Sequence, residues 1–398
     1  MKAVIFAAGK STRTYPLTLT RPKPLLPIAN RPILAHQLEA LSGLVDGVVV
    51  VVGYRGDMIR DRFGGAYGGI KLEYVEQHEQ RGTGHALLQC AGMLDEPFIA
   101  LNGDDLFDPA DLAALAKVGQ GGLAKTIEDP SQFGIYEVDD EGRALRIVEK
   151  PTEIFSHLAN IGAYAFGPEV FGILEGVEPS ERGEIELTSA IQILADGGAF
   201  RVVEAKGYWF PIGYAWSLLE ANAFFLDTAL KEDIQGEVSA GAHLNGTVAI
   251  GRGTVIRPGV VIDGPVVIGE GCRIGPNAWI RSHTAIGNGC QAGQGAEIKA
   301  SILMDGARVP HLSYVGDSVL GEKVNLGCGT ITANFRHDGA NHRSMVKGEL
   351  VDTGRRKLGA ILGDGVHTGI NTSIYPGRKL WPGTSTLPGE VVIRDKEE

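Results

Sequence analysis

Apolar residues follow one spacing rule up to about residue 230 and another beyond it. In the first part, KAVIFAA (2–8), DGVVVVVG (46–53), KLEYVE (71–76) and PFIALNGDD (97–105) are short apolar runs that read as strands. Between them, Ile33, Leu34, Leu38, Leu41 and Leu44 recur at the spacing of one helix face, and the stretch after GTGHA (82–86) is also predicted helical. Strands that are apolar throughout are buried on both faces. Their alternation with helices predicts an α/β domain with a Rossmann-like, mostly parallel sheet, with ligands at the carboxyl ends of the strands.

A predicted helix over 215–230 closes this region, and the texture then changes. Isoleucine stands at 250, 256, 262, 268, 274, 280 and 286, and Ile298 keeps the phase after Ala292. A period of six is neither 2 nor 3.6, so it fits neither a hairpin nor a helix. It is the hexapeptide signature of a left-handed parallel β-helix, whose aliphatic residues stack inside three-sided coils. The phase shifts near 303–320 and resumes at Leu362, Thr368, Ile374 and Leu380. Two domains are therefore expected, 1–228 and 236–398. Such prisms pack side to side, so a homotrimer is expected.

Composition narrows the function. The 398 residues include 56 glycines, roughly twice ordinary usage, which suits a chain with many tight turns. A net charge of −11 argues against a nucleic-acid binder, which would show a basic face. The longest early apolar run, Val48 to Val52, is too short to span a bilayer, and the chain opens directly on a strand. Cys90, Cys272, Cys290 and Cys328 form no CxxC pair and read as reduced thiols. A cytoplasmic protein acting on small molecules, without nucleic-acid or membrane partners, is the expectation.

The first motif is AAGKSTRTYPLTLTRPKPLLPI, residues 7–28. A loop of small residues after a strand leaves backbone N–H groups free to wrap phosphates, and Arg13 and Lys23 add positive charge. It matches neither GxGxxG nor GxxxxGK[ST], so the dinucleotide and P-loop readings fail. This segment, together with QHEQRGTGHA (77–86), NGDD (102–105), FGIY, IVEKP and ANIGAYAF in that order, resembles the sugar-1-phosphate nucleotidylyltransferases. The resemblance covers about the first 225 residues. It implies that Ala8, Gly9, Gln77, Gly82 and Thr83 line the nucleotide, with Gln77 reading the pyrimidine edge. It also implies that Gly134, Glu149, Lys150 and Asn160 surround the sugar phosphate and that Asp104 binds Mg²⁺. Two departures stand out: Ser11 replaces a loop glycine, and Pro211 replaces the carboxylate of the family's W-x-D-x-G segment. Asp105 reads either as a metal helper or as a capping or solvated residue.

In the second half, VPHLSYVGD (309–317) and VNLGCGTITANF (324–335) interrupt the hexapeptides. They resemble the acetyltransferase half of the bifunctional uridylyltransferase/acetyltransferases, and GRRKLGAILGDGVHTGINTSIYPG (354–377) is similar to their archaeal-type members. The resemblance implies acetyl-CoA as donor, His311 as general base, and Tyr314 beside the acceptor sugar. Asn325 and Asn334 would face sugar and thioester, while Arg281 and Lys299 would hold the sugar phosphate. His342 stands where the bacterial pattern has a lysine near the thioester, and Lys347 is the substitute candidate. Chemically, a histidine with an ordinary pKa near 6.5 can take the proton from an attacking amine, and Asn334 or a backbone N–H can serve the thioester oxygen. The run Arg355, Arg356, Lys357 reads equally as a solvated loop or a coenzyme A phosphate clamp.

The leading expectation is a bifunctional enzyme that acetylates glucosamine or galactosamine 1-phosphate. It would also transfer a nucleotidyl group from UTP or dTTP to N-acetylglucosamine 1-phosphate or glucose 1-phosphate. The alternatives are a monofunctional nucleotidylyltransferase with a structural coil and a non-catalytic protein like the exchange-factor subunits.

Overall fold

The structure, a computed structural model, describes residues 1–180 and 182–398. The chain forms two compact units. The first comprises Met1–Lys10, Pro22–Leu25 and Ile33–Pro211; the second comprises Ser11–Arg21, Leu26–Pro32 and Ile212–Glu398.

At the centre of the first unit, strands Ile70–Glu76, Gly47–Val52, Lys2–Ala7 and Phe98–Asn102 lie parallel and side by side. Strand Leu158–Phe166 joins antiparallel to Phe98–Asn102 and extends the sheet toward the hairpin Gly134–Val138/Ala144–Glu149 and strand Gly121–Thr126. Successive residues of the central strands point to opposite faces. Val48, Val50 and Val52 pack with Leu34, Leu38, Ile59 and Leu112, whereas Val49 and Val51 pack with Leu87, Val170, Leu174 and Ile191. Both faces are covered by helices, which is why the run of valines has no polar member. The helices expected near residues 33–44 and over 215–230 form at Ile33–Ala40 and Ser217–Thr228, each shorter than predicted, and the one expected after GTGHA lies mostly within that motif, at Thr83–Leu88.

Most of the second unit is the β-helix, with three parallel faces, and the helix Ser217–Thr228 and the segments Ser11–Arg21 and Leu26–Pro32 belong to the same unit. On one face Ile250, Ile268 and Ile286 stack in register at eighteen-residue intervals. Leu303 and Leu320 follow at seventeen, the physical origin of the phase shift. Leu320 then pairs directly with Leu362, because the chain between them, after Ile331–Thr332 has continued one face, makes an excursion that holds the antiparallel hairpin Arg343–Val346/Glu349–Asp352. The interior is a single aliphatic column that includes Cys272 and Cys290, and all four cysteines are free thiols. Among the described residues, no helix is long and apolar enough to cross a membrane.

Candidate active sites

In the first unit the predicted nucleotide residues gather at the carboxyl ends of the central strands. Tyr54 N–H donates to Ala8 O at 3.1 Å, and Gln77 N–H to Val52 O at 2.8 Å. A Cβ on Gly53 would stand 2.8 Å from Ala8 O, so glycine there lets two strand ends close on each other. The buried Gln77 donates from Nε2 to Gly82 O (3.1 Å), and the same nitrogen pairs with His85 Nδ1 (3.1 Å). Gly82 has φ +97, and a Cβ there would press on Ile185 O. Thr83 Oγ1 accepts from Leu187 N–H at 3.4 Å. Gly9 is exposed just past the first strand.

A second group continues along the sheet. Lys23, almost wholly buried, forms an ion pair with Asp104 at 2.7 Å, and the Asp104 side chain is 39% exposed. Its neighbour Asp105 is buried and accepts from Asn102 Nδ2 at 3.2 Å, while Gln37 Nε2 donates to Asn102 O and Asp105 O. Gly162 sits against Asn102 with φ +79, and its N–H donates to Asn160 Oδ1 at 3.2 Å. A Cβ on Gly134 would lie 3.0 Å from Glu149 Oε2 and 3.5 Å from Asn160 Cβ. Gly134, Glu149 and Asn160 are thus brought together, and burial raises the Glu149 carboxyl above the ordinary range. Lys150 has φ +45 and its N–H donates to Phe133 O at 3.0 Å. Asn102, Gln37 and His85 escaped the sequence reading, because their roles are set by which strand ends meet.

Two departures from the motif acquire a physical meaning. Ser11 takes φ +52, ψ +52, the left-handed conformation that a glycine adopts without strain. Pro211 pairs in register with Asp105 in a short antiparallel ladder, so a ring stands beside the acidic pair. Among the described residues no set of three or more His, Cys, Asp or Glu side chains could hold a metal. A divalent cation can be held by one or two carboxylates together with substrate phosphates, and Asp104 is the part-exposed carboxylate of this group.

In the second unit, Arg13 is exposed on a short turn, with its guanidinium 5.6 Å from the centre of the Tyr214 ring. The turn's loop is fixed by Arg21, whose guanidinium pairs with Glu322 and Asp364.

On the β-helix a polar cluster forms on one face. Arg281 NH1 meets Glu297 Oε1 at 2.7 Å, and the guanidinium lies 4.6 Å from the centre of the Trp279 ring. Lys299 Nζ is 3.5 Å from Asp317 Oδ2. Asn334 Nδ2 donates to both Asp317 Oδ2 (2.7 Å) and the Tyr314 hydroxyl (3.0 Å). Both amide hydrogens are therefore taken within the cluster. His342 is buried, with Nε2–H donating to Asn334 O at 3.0 Å, and burial lowers its pKa. His311 lies exposed at the adjacent corner, where its O accepts from Ser313 Oγ at 2.7 Å. Asn325 stands on the neighbouring face between Arg308 and His367, and Lys347 is exposed at the tip of the hairpin. Arg281, Lys299, Tyr314 and Asn334 thus meet, joined by Glu297 and Asp317, which the sequence reading did not assign.

Similarity runs along the whole chain. Residues 2–228 match the nucleotidyl transferase family, and residues 262–378 match the GMPPB C-terminal domain. A relative from Methanococcus maripaludis, named bifunctional protein GlmU, is 42% identical over 399 residues, spanning 100% of this chain and 95% of the relative. One from Sulfurisphaera tokodaii, named bifunctional sugar-1-phosphate nucleotidylyltransferase/acetyltransferase, is 36% identical over 99% of this chain and 98% of its own. The chain belongs to this bifunctional family. A crystal structure of UDP-glucose pyrophosphorylase complexed with UDP-glucose superposes with a TM-score of 0.53 at 26% identity, covering 57% of this chain and 98% of that one. In family terms, the strand-end groups belong to the nucleotidyltransferase half and the polar cluster to the β-helix of the acetyltransferase half.

Proposed function

We propose that the chain makes a sugar nucleotide in two steps. The β-helix, residues 236–398, acetylates an amino-sugar 1-phosphate from acetyl-CoA. The region 1–228 then transfers a nucleotidyl group from UTP or dTTP to the product, or to glucose 1-phosphate, and releases pyrophosphate. The observation that carries this reading is the pair of separate polar clusters, one at the strand ends of the first unit and one on the outside of the β-helix.

In nucleotidyl transfer a sugar-phosphate oxygen attacks the α-phosphorus in line. The nucleophile is already anionic, so the site must gather charge rather than supply a base. Lys23 and Arg13 offset phosphate charge, the loop at Ala8 and Gly9 offers backbone donors, and Gln77 reads the base with Gly82 and Thr83 alongside. Gly134, Glu149, Lys150 and Asn160 hold the sugar phosphate. Asp104 would hold Mg²⁺, which supplies positive charge to the phosphates when bound.

In acetyl transfer the amine nitrogen bonds to the thioester carbon and the carbon–sulfur bond breaks. His311 takes the amine proton and passes it to the departing thiolate. Arg281 and Lys299 hold the sugar phosphate, with Tyr314 beside the sugar and Asn325 and Lys347 contributing from outside the cluster. With both Asn334 amide hydrogens engaged, a backbone N–H is the donor for the thioester oxygen. The exposed apolar side chains Trp279, Ile331, Val391 and Ile393 favour a homotrimer built through the coils. Free thiols and small-molecule substrates fit a cytoplasmic enzyme.

The test is a substrate panel for both half-reactions, following pyrophosphate and free thiol, with His311→Ala beside the wild type. Acetyl transfer by the variant should fall about 10²–10⁴-fold, with nucleotidyl transfer and oligomeric state unchanged. A trimeric variant that acetylates at the wild-type rate from pH 6 to 9 would remove His311 from the reaction.

A further inference from the structure

The polar cluster of the β-helix is organised around a buried acid that no substrate-binding role explains. Asp317 is only 4% exposed. Its Oδ2 accepts from Asn334 Nδ2 at 2.7 Å and lies 3.5 Å from Lys299 Nζ. A carboxylate paired with an ammonium group can only accept hydrogen bonds. The two ends of the Asn334 carboxamide are therefore not interchangeable: turned around, its oxygen would face the acid with no proton between them.

The consequence passes along a short chain. Asn334 Nδ2 has two hydrogens; one goes to Asp317 and the other to the Tyr314 hydroxyl at 3.0 Å. The Tyr314 oxygen accepts that bond, so its own hydrogen points elsewhere. Burial raises the Tyr314 pKa, which keeps that hydrogen in place. Gly316 makes the approach possible: a Cβ there would fall 2.5 Å from the Tyr314 hydroxyl and 2.6 Å from Asn334 Nδ2. Backbone contacts hold the far side, since Asn334 O accepts from Leu358 N–H (3.1 Å) and from His342 Nε2 (3.0 Å).

We propose that Asp317 is a positioning residue for acetyl transfer: it fixes the Asn334 carboxamide so that Asn334 offers the acceptor sugar an oxygen and Tyr314 offers it a hydroxyl hydrogen. The sugar's own amine or hydroxyl N–H and O–H groups meet the Asn334 oxygen, and an anionic or carbonyl oxygen meets Tyr314. This rests on the acetyltransferase reading of the β-helix. It assigns Asn334 to acceptor-sugar recognition and leaves the thioester oxygen to backbone donors.

The experiment is a double-mutant cycle in the full-length protein with Asp317→Asn, Tyr314→Phe and both together, using glucosamine 1-phosphate and galactosamine 1-phosphate with acetyl-CoA. Asp317→Asn lets the two amides pair in either sense, so the KM for the amino-sugar 1-phosphate should rise about tenfold, while the KM for acetyl-CoA stays unchanged. The double variant should lose less than the product of the two single losses, because part of the acid's effect passes through the Tyr314 hydroxyl and part through the Asn334 oxygen. If Asp317→Asn fails to fold, Asn334→Ala takes its place with the same KM shift and the same lack of additivity. Wild-type constants in Asp317→Asn, fully multiplicative losses, or an equal rise in the acetyl-CoA KM would each overturn the proposal. If the wild type acetylates neither sugar, it is the acetyltransferase reading that fails.

Discussion

Lys379 is an ammonium-bearing side chain packed into the second unit with 2% exposure. Its Nζ donates to Met345 O at 2.7 Å and lies 5.7 Å from the centre of the Trp216 ring. Burial lowers its pKa to about 8, against a smaller opposing effect from Asp395. The unfolded side chain titrates near 10.4, so the shift corresponds to about 3 kcal/mol at about 1.4 kcal/mol per unit. Between about pH 8 and pH 10.4 the unfolded chain holds a proton that the folded chain has released, so stability rises with pH across that window. Below pH 8 the whole cost of burying the charge is present. Lys379→Met keeps a linear side chain of similar length and removes that cost, but leaves the Met345 carbonyl without its donor, a loss of about 1–2 kcal/mol. The variant should therefore be more stable than the wild type by about 1–2 kcal/mol at pH 7 and less stable by a similar amount above pH 10. Urea unfolding of both proteins from pH 7 to 10.5 reads this directly, as two curves that cross near pH 9. Parallel curves would show that Lys379 does not titrate in this window and refute the reasoning.

Two further outcomes follow from the first half of the sequence. Asp104→Ala should abolish Mg²⁺-dependent nucleotidyl transfer and leave acetyl transfer intact, measured as pyrophosphate and thiol release; near-normal turnover would remove Asp104 from metal binding. Ser11→Gly should stabilise the protein by about 0.5–1 kcal/mol, the relief of a left-handed non-glycine residue less the added chain entropy of glycine; a lower Tm would mean that the Ser11 side chain contributes more than its backbone strain costs.

The sequence on its own determined what depends on neighbours along the chain. The six-residue isoleucine period became the stacked register of Ile250, Ile268 and Ile286, because each coil repeats the same local turn and buries the same position. The apolar strands and the loop that follows the first of them were legible for the same reason: alternation and turn chemistry act over a few residues. Lys23 and Asp104, separated by eighty-one positions, were named from separate motifs, yet only the fold joined them as an ion pair at 2.7 Å. The tertiary structure alone decided the rest. Asp317 carried no assignment in the sequence, and two shortened coils bring Lys299 and Asn334 to it. Asn325 fell on the neighbouring face because face assignment depends on coil length, which changes by one residue just before it. Lys379 is charged and would be expected outside, but the hairpin rooted at Arg343 covers it and supplies the carbonyl that satisfies it. Local spacing fixes which way a side chain points from its own strand; which groups it meets there depends on segments that sequence distance does not reveal.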